Sequence, residues 1–308
     1  MKNKTKNLLV TGCAGFIGSH AVDLFLELGY KVTGIDCLTY AANKRNLAES
    51  FASENFKFYE GNICDTNLVE KICSKHDIDW IVNFAAETHV DNSISNSTNF
   101  IESNISGVRS LLEVCSKLKI KIMQISTDEV YGSIKFGNFT EKSILNPKNP
   151  YSATKAAAEH MVTSYSNTYG VEYIIVRPSN NIGPRQHPEK FFPKLLNCLK
   201  NNLKIPIYGE GNQIREWLFV KDNVKAIEFI ITNSNVNETY NIGSGNEITN
   251  IDLVRKVCEL KNIDFKKYIK FVDDRKGHDF RYALSNEKLE NLGFSNFTSL
   301  EKILQEAV

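Results

Sequence analysis

The stretch "NLLVTGCAGFIGSH", residues 7–20, joins a short apolar run to a helical pattern through a glycine-rich turn. Gly12, Gly15 and Gly18 stand in G-x-x-G-x-x-G spacing, which lets a chain turn tightly between a strand and a helix. Backbone N–H groups at the start of such a helix can bind a pyrophosphate. A glycine-rich turn can also be purely structural, so the rest of the sequence has to decide between these two interpretations.

Short β-rich runs alternate with helical patterns from residue 7 to about residue 178. The strand-like runs are "NLLVTG", "KVTGID", "FKFYEGNI", "WIVNFAA", "IKIMQIST" and "EYIIVRPS". Repeated βα units predict an α/β fold with a doubly wound parallel sheet of the Rossmann type, covered by helices on both faces. Ligands of such sheets bind beyond the carboxyl ends of the strands, so the residues that follow each run are the first candidates for a site.

The regular alternation ends after residue 178, where the Pro/Gly/Asn-rich stretch "PSNNIGPRQHPEKFFP" begins. We therefore predict two domains. Residues 1–178 form the Rossmann domain, to which residues 214–242 return, and residues 179–308 form a smaller, mixed α/β domain that binds the substrate.

Composition excludes several classes of function. The formal charge of +1 on 308 residues provides no general field for nucleic acid or an anionic membrane. Seven scattered cysteines without a C-x-x-C pair indicate neither a disulfide framework nor a zinc site, and they fit a reducing compartment. The N-terminal apolar run is too short to span a membrane and lacks the cleavage region of a signal peptide. We expect a soluble, unprocessed, cytoplasmic protein.

An acid at the end of the second predicted strand favours NAD as the cofactor. Asp36 lies eighteen residues beyond Gly18, where a carboxylate can accept hydrogen bonds from an adenosine ribose and repel a 2′-phosphate. The alternative is a solvated acid at a strand end, which is less consistent with the glycine turn upstream. Spacing alone also suggests that residues after the third and fourth strands line the adenine and pyrophosphate: Asn62, Ile63, Ala85 and Ala86.

The segment "NPYSATKAAAEHM" predicts a helix that begins at Pro150 and carries Tyr151 and Lys155 on one face. An ammonium beside a phenol favours the phenolate and can lower a tyrosine pKa from about 10 toward neutrality. The pair could therefore act as a base for a sugar hydroxyl, although Y-x-x-x-K alone is common on surface helices. The alanines at 156–158 predict close helix packing, which we expect against a second subunit in a homodimer formed through this helix face.

Several motifs together resemble the extended short-chain dehydrogenase/reductases, and within them the dTDP-glucose 4,6-dehydratases and their UDP-glucose-using relatives. The motifs are "TGCAGFIGS", "NFAAETHVDNSI", "STDEVYG", "PYSATKAAAEH", "RPSNNIGPRQHPEKFFP", "IYGEGNQIREWLFV", "YNIGSGNE" and "DRKGHDFRYA". They cover nearly the whole chain in the order of the family. Sister epimerases and decarboxylases share the fold and the Tyr/Lys pair but usually lack the Thr-Asp-Glu triplet.

The resemblance implies a lyase with an internal redox cycle, in which tightly bound NAD is regenerated at each turnover. Thr127 would contact the sugar's 4-hydroxyl, Asp128 would be the general acid at C6 and Glu129 the general base at C5. Tyr151 would be the base at the 4-hydroxyl, with Lys155 as its partner. C4 oxidation acidifies the C5 hydrogen, water is then lost across C5 and C6, and C6 is finally reduced.

The resemblance also implies two sets of binding residues, and no metal. The cofactor set is Gly12, Gly15, Phe16, Ile17, Gly18, Asp36, Thr39, Asn62, Ile63, Ala85, Ala86, Tyr151, Lys155 and Ser179. The substrate set is Glu87, His89, Thr127, Asn180, Glu189, Lys190, Tyr208, Arg215, Asn250, Arg275 and His278. The two arginines suit a diphosphate, and Tyr208 matches a position near the base. His89 is expected to be a hydrogen-bonded wall residue rather than a metal ligand.

The chain departs from the family pattern at Cys13, Asn62, Asn92 and Ile182. The first two are compatible with NAD binding, whereas the last two lie nearer the sugar and leave the hexose and the nucleotide open. The chain also ends soon after "TSLEKILQEAV", before the family's C-terminal helix and tail, so either the nucleotide pocket is more open or the sequence is shortened. Two other functions stay open: a UDP-sugar 5,6-dehydratase or C4 epimerase, and a non-catalytic NAD-binding scaffold.

Overall fold

The computed structural model describes residues 6–275 and 277–307. Contacts within the chain divide it into two compact units. The first contains the described part of Met1–Thr127 together with Asn149–Arg177 and Val224–Tyr240. The second contains Asp128–Lys148, Pro178–Asn223 and the described part of Asn241–Val308. The domain bounds expected from sequence, 1–178 with a returning 214–242 and then 179–308, stay a prediction.

The strands are β1 (Asn7–Thr11), β2 (Lys31–Asp36), β3 (Phe56–Glu60), β4 (Trp80–Asn83), β5 (Lys121–Ile125), β6 (Tyr173–Pro178), β7 (Asn180–Ile182), β8 (Ile205–Tyr208), β9 (Ile214–Phe219), β10 (Glu238–Ile242), β11 (Glu247–Thr249) and β12 (Ile269–Val272). A seven-stranded sheet has the order β10-β6-β5-β4-β1-β2-β3. The pairings from β6 through to β3 are parallel. The predicted doubly wound α/β sheet is confirmed. The strand order reverses beside β1, which is the position where such sheets bind ligands.

The helices are α1 (Phe16–Glu27), α2 (Thr66–Lys75), α3 (Val90–Ser95), α4 (Thr98–Ile101), α5 (Gly107–Leu118), α6 (Pro150–Tyr169), α7 (Phe191–Lys200), α8 (Val220–Asn233), α9 (Asn250–Leu260), α10 (Phe265–Tyr268), α11 (Glu287–Leu292) and α12 (Leu300–Ala307). A π-helical turn at Glu102–Ser106 separates α4 from α5. Short 3₁₀ turns lie at Lys44–Leu47, Ser50–Ala52 and Asp128–Tyr131.

The core of the first unit explains why its strands are apolar throughout rather than alternating. Strand residues such as Leu9, Ile81 and Ile122 are fully buried and pack with side chains from α2, α5 and α6. A parallel sheet covered by helices buries both faces of each strand. Each large aliphatic side chain that is removed from water in this way contributes about 1.5–3 kcal/mol.

The second unit contains two small sheets, with strand orders β11-β9-β7 and β12-β8. β9 pairs antiparallel with β11 and parallel with β7. The segment after β5 joins this unit through its backbone, because Ile134 N–H donates to Arg281 O at 3.1 Å and Phe139 N–H donates to Ala283 O at 2.8 Å. Within the described ranges, no helix is both long and apolar enough to cross a membrane.

Candidate active site

The glycine turn after β1 forms a narrow backbone cradle, in which side chains at the glycine positions would collide with neighbouring backbone. Gly12 has φ +63°, and a Cβ atom there would lie 2.7 Å from the backbone nitrogen of Ala85. A Cβ at Gly18 would lie 2.3 Å from the carbonyl oxygen of Gly12. Gly15 precedes α1 and donates its N–H to the same carbonyl at 3.1 Å. The backbone at the start of α1 is therefore open to a phosphate, as the spacing predicts.

Asp36 lies at the end of β2 with its carboxylate turned toward this cradle. One oxygen accepts the N–H of Ala14 at 2.9 Å and the other accepts the N–H of Leu38 at 2.8 Å. Burial raises the pKa of Asp36, and these two hydrogen bonds act against that shift. Each carboxylate oxygen retains a lone pair for another donor, such as a ribose hydroxyl. The turn and the acid together fit a dinucleotide without a 2′-phosphate.

Most of the other predicted cofactor residues follow the ends of β2, β3, β4 and β6, and two of them, Phe16 and Ile17, begin α1. Thr39 and Asn62 are exposed, and the amide oxygen of Asn62 accepts the N–H of Cys64 at 2.9 Å. Ile63 is buried at 5 % exposure, and Ser179 is buried with its N–H on Ile242 O at 3.0 Å. Phe16, Ile17, Ala85 and Ala86 are partly buried.

Helix α6 presents Tyr151 from a well-defined N-terminus. Asn149 and Ser152 form a reciprocal capping box, and Pro150 occupies the first turn. The N–H of Tyr151 donates to Ser93 Oγ at 3.2 Å, and its ring packs edge-on against Phe100 at 6.4 Å. Tyr151 is 8 % exposed. The helix start therefore holds the phenol in one place before any ligand binds.

Lys155 follows one turn later and is buried. Its Nζ donates to the carbonyl oxygen of Ile125, the last residue of β5, at 2.5 Å. Burial lowers the pKa of Lys155 to about 8, and the Glu159 carboxylate acts in the opposite direction. The predicted Tyr151/Lys155 pair thus lies on one buried helix face rather than on a surface helix.

The predicted substrate residues Glu87 and His89 follow β4 in the first unit. Asn104, in the π-helical turn, accepts the N–H of Glu87 at 2.9 Å and donates to its carbonyl at 3.0 Å. The same amide donates to Thr154 Oγ1 on α6 at 2.9 Å. His89 Nδ1 accepts the N–H of Asn92 at 3.3 Å, at the start of α3. Asn104 therefore fixes the backbone after β4 to helix α6.

The Thr-Asp-Glu triplet begins two residues after β5. Thr127 is buried and ends a segment of the first unit, whereas Asp128 and Glu129 begin a segment of the second. Asp128 is 1 % exposed, and Glu129 is partly exposed. Burial is the main cause that raises the pKa values of Asp279 and Tyr282, and the negative charge of Glu129 raises both further. Glu129 therefore lies within electrostatic range of that buried pair.

Four predicted substrate residues of the second unit come together. The ring of Tyr208 packs edge-on against His278 at 6.1 Å, and His278 Nδ1 lies 2.6 Å from Asp274 Oδ1. Burial lowers the pKa of His278 to about 4, the positive charges of Arg215 and Arg275 lower it further, and Asp274 opposes them. His278 is therefore neutral at pH 7, and its Nδ1–H donates to the aspartate.

Arg215 on β9 is itself largely buried. It donates to Asp279 O at 3.1 Å, and its guanidinium lies 4.6 Å from the centre of the Tyr282 ring. The ring carries the phenol that donates to Asp279 Oδ2 at 2.7 Å. The guanidinium thus has a fixed plane, as recognition of a phosphate oxygen requires.

The remaining predicted substrate residues lie on other elements of the second unit. Glu189 and Lys190 immediately precede α7, and Asn250 is the first residue of α9. Asn180 begins β7, and its buried amide oxygen has no hydrogen-bond partner among the described residues. Among residues 6–275 and 277–307, no group of three or more His, Cys, Asp or Glu side chains is arranged to hold a metal.

A family model described as GDP-mannose 4,6 dehydratase matches residues 9–307. The chain belongs to this family. It is similar to the low-salt glycan biosynthesis protein Agl12 of Haloferax volcanii, with 44 % identity over 98 % of this chain and 97 % of that protein. It is 40 % identical to dTDP-glucose 4,6-dehydratase of Haemophilus influenzae over 98 % of this chain and 96 % of that protein.

A solved structure has the same fold over nearly the whole chain. DesIV, a dTDP-glucose 4,6-dehydratase from Streptomyces venezuelae with NAD bound, gives a TM-score of 0.94 at 39 % identity, covering 97 % of this chain and 95 % of that chain. The resemblance to nucleotide-sugar 4,6-dehydratases inferred from the motifs is confirmed.

In this member of the GDP-mannose 4,6-dehydratase family, sequence reasoning missed a buried polar chain beneath the glycine turn. Ala85 N–H donates to Thr11 Oγ1 at 3.2 Å, and Thr11 donates to Asn83 Oδ1 at 2.5 Å. Asn83 donates to Gln124 at 2.8 Å, and Gln124 donates to Ile125 O at 3.0 Å. Two largely apolar strands each carry one side-chain amide, Asn83 in β4 and Gln124 in β5. These amides were the available signal in the sequence, because buried polar groups need hydrogen-bond partners.

Proposed function

We propose that this chain is an NAD-dependent nucleotide-sugar 4,6-dehydratase that converts dTDP- or UDP-glucose to the 4-keto-6-deoxy sugar. One observation carries the proposal. The Thr127, Asp128 and Glu129 triplet begins two residues after β5, whose last carbonyl accepts from Lys155, in a chain 40 % identical along its length to a dTDP-glucose 4,6-dehydratase. The triplet provides the acid and the base that elimination of water requires beyond the oxidising Tyr/Lys pair.

The glycine cradle and Asp36 would hold NAD. When bound, NAD supplies a reversible store for the two electrons that leave C4 and return at C6. Gly12 and Gly18 leave room for the pyrophosphate, and the Asp36 carboxylate accepts from the ribose. The carboxylate repels the 2′-phosphate of NADP.

Tyr151 takes the proton of the sugar's 4-hydroxyl while Thr127 holds that oxygen. The Lys155 ammonium stabilises the phenolate that this step needs. Ser93 accepts the backbone N–H of Tyr151 and Phe100 packs against its ring, so the residue loses little freedom on meeting its substrate, which favours a productive geometry.

Glu129 and Asp128 then remove water from the 4-keto sugar. Glu129 takes the proton from C5, the C6–O bond breaks, and a proton from Asp128 leaves with the hydroxyl as water. Glu129 later returns its proton to C5, whereas Asp128 finishes the cycle ionised. The proton that Tyr151 took from the 4-hydroxyl balances this loss: Tyr151 releases it to solvent and Asp128 takes one up, which readies both groups for another turnover. Two neighbouring carboxyl groups favour different protonation states, as these opposite roles require.

The cluster of Tyr208, Arg215, Arg275 and His278 supports a nucleotide-diphosphate site in the second unit. Two cationic groups influence one neutral histidine there, so a dianionic diphosphate would meet positive charge with hydrogen-bonding capacity beside it. The unpartnered Asn180 oxygen accepts from a sugar or nucleotide donor. We assign supporting contacts with the same substrate to Glu87, His89, Glu189, Lys190 and Asn250.

We further propose a cytoplasmic homodimer that forms through helix α6. The expectation that the alanines form the interface is wrong for Ala158, which is fully buried in the core of the first unit, and for the buried Ala156. For the partly buried Ala157 it stays a prediction. The exposed side of the helix would form the contact instead, including Tyr169 at 54 % exposure beside Tyr165. Light scattering of Tyr169→Glu against wild type tests this: a monomeric variant supports the interface, and an unchanged dimer removes α6 from it.

The test of the proposed reaction is to incubate the purified protein separately with dTDP-glucose, UDP-glucose and UDP-N-acetylglucosamine, and to follow product mass and structure. We expect a product of glucose lighter by one water, with a 4-keto group and a C6 methyl. A product of unchanged mass would show an epimerase. Protein that binds no NAD and changes none of the three would be the non-catalytic scaffold.

A further inference from the structure

A buried ion pair lies one turn beyond Lys155 on the catalytic helix. Glu159 follows Lys155 by four residues, so both side chains lie on the same side of α6. Arg177 on β6 donates from Nε to both carboxylate oxygens of Glu159 at 3.1 Å and from Nη2 to Oε2 at 2.6 Å. Glu159 is 2 % exposed and Arg177 6 %. Pairs buried this deeply add little net stability, because desolvation offsets most of their attraction.

The pair is also attached to the end of β5. Ser126 Oγ–H donates to Glu159 Oε1, while the preceding carbonyl, that of Ile125, accepts from Lys155 Nζ at 2.5 Å. Ser126 N–H in turn donates to Val176 O at 2.8 Å. Two side chains one helical turn apart therefore contact consecutive residues, immediately before Thr127.

The electrostatic environment of Lys155 depends on this arrangement. Burial alone disfavours the charged ammonium, and the Glu159 carboxylate is the group that opposes it. Arg177 and Ser126 donate to the same carboxylate and keep it in place. All of these residues belong to the first unit.

We propose that Glu159, held by Arg177 and Ser126, is a positioning residue that keeps the Lys155 ammonium charged and directed at the end of β5. The inference rests on the proposed function, in which the charged Lys155 is the partner of Tyr151. The competing interpretation is that the Glu159–Arg177 pair only fastens α6 to β6.

A titration of the lysine itself separates the two interpretations without NAD or substrate. We would label the lysines with ¹³C at the ε-carbon, follow their NMR shifts against pH, and assign Lys155 by its loss in Lys155→Arg. Wild type should give a midpoint of about 8. In Glu159→Gln the midpoint should fall by about one unit or more, because an opposite charge nearby is removed. Glu159→Asp, which keeps the carboxylate, should recover most of the wild-type value.

Arg177→Gln is the matched control. It breaks the same ion pair, yet it removes a positive charge, so the Lys155 midpoint should rise rather than fall. A fastening role predicts similar losses of stability in Glu159→Gln and Arg177→Gln with no opposite shifts. Midpoints that stay unchanged, or move in the same direction in both variants, would overturn the proposal. If either single variant does not fold, Glu159→Gln combined with Arg177→Met leaves no unpaired buried charge, and its midpoint should fall between those expected for the single variants.

The pH profile of the first chemical step extends the test to function. With dTDP-glucose in a single turnover, the alkaline limb for cofactor reduction should move to lower pH in Glu159→Gln, in step with the NMR midpoint. Wild-type protein that reduces no cofactor with any sugar nucleotide would contradict the proposed function, while the NMR titration would still decide the role of Glu159.

Discussion

The glycine turn at the carboxyl end of β1 and the cluster around His278 are suited to bind ligands by different physical means. At the glycine turn the backbone sets the shape, since Gly12 has no room for a side chain. The buried polar side chains below it are joined by a continuous series of hydrogen bonds. Around His278 the site is dominated by the charges of two arginine side chains, Arg275 and the buried Arg215. The first region therefore tolerates almost no change in volume, whereas the second responds mainly to changes in charge.

This difference suits the two ligands that we propose. A cofactor that stays bound through the whole cycle benefits from a rigid cradle whose entropy cost is already met in the fold. A substrate that must enter and leave at each turnover is better held by a few charged side chains than by an enclosing cradle.

The largest effects should come from the reacting residues, and they should differ in kind. Tyr151→Phe removes the base at the 4-hydroxyl, so cofactor reduction by dTDP-glucose should slow by about 10²–10⁴-fold. Glu129→Gln should still reduce the cofactor, yet it should not exchange solvent deuterium into C5. Stopped-flow absorbance of the reduced cofactor and mass spectrometry of the sugar provide the two readouts. Rapid C5 exchange in Glu129→Gln would exclude Glu129 as the base.

The next effect should come from the cradle. Gly12→Ala would carry the left-handed strain of φ +63° and a contact of 2.7 Å with Ala85 N. Gly29→Ala is the matched control, because Gly29 has φ +79° with nothing within 4 Å of its Cβ position. Both should lose about 1–2 kcal/mol of unfolding free energy from strain, and Gly12→Ala should lose about 1–3 kcal/mol more from overpacking.

Gly12→Ala should also weaken NAD binding at least about tenfold, which corresponds to about 1.4 kcal/mol. Urea unfolding and NAD titration by calorimetry measure the two quantities. Equal stability losses and unchanged NAD affinity in both glycine variants would show that the backbone at Gly12 does not shape the cofactor site.

The first region was largely predictable from sequence because its features are local. The spacing of Gly12 and Gly18 and the i,i+4 relation of Tyr151 and Lys155 each depend on only a few neighbouring residues, and the structure reproduces both. The polar chain through Asn83 was not predictable, since strand pairing decides which buried amides meet.

Side-chain contacts that depend on tertiary packing could not be predicted from the sequence either. Asn104, which lies in a π-helical turn, contacts Glu87 and Thr154, which are 17 and 50 residues away in the chain. Arg177 meets Glu159 across a helix–strand contact that no sequence pattern marks. The alanines were assigned to a subunit contact because a small-residue run predicts close packing without saying which surface it packs against. Ala158 packs within its own unit.

The smallest effect should appear in the charged cluster as a pH dependence of stability. Burial, together with Arg215 and Arg275, lowers the folded-state pKa of His278 to about 4, against an ordinary value of 6.5. Between these values the unfolded chain binds a proton that the folded chain does not, so stability should fall as the pH decreases from 6.5 to 4. After allowance for solvent screening we expect a loss of about 1–2 kcal/mol.

Urea unfolding of wild type and His278→Gln at a series of pH values measures this contribution directly. The free energy of unfolding of wild type minus that of His278→Gln should be constant above pH 6.5. It should decrease as the pH falls toward 4, because only wild type loses the stability linked to His278. A His278→Gln curve that parallels wild type would mean that neither burial nor the charges of Arg215 and Arg275 lower the pKa of His278 in the folded protein. The cluster around His278 would then not differ from the glycine turn in its response to charge.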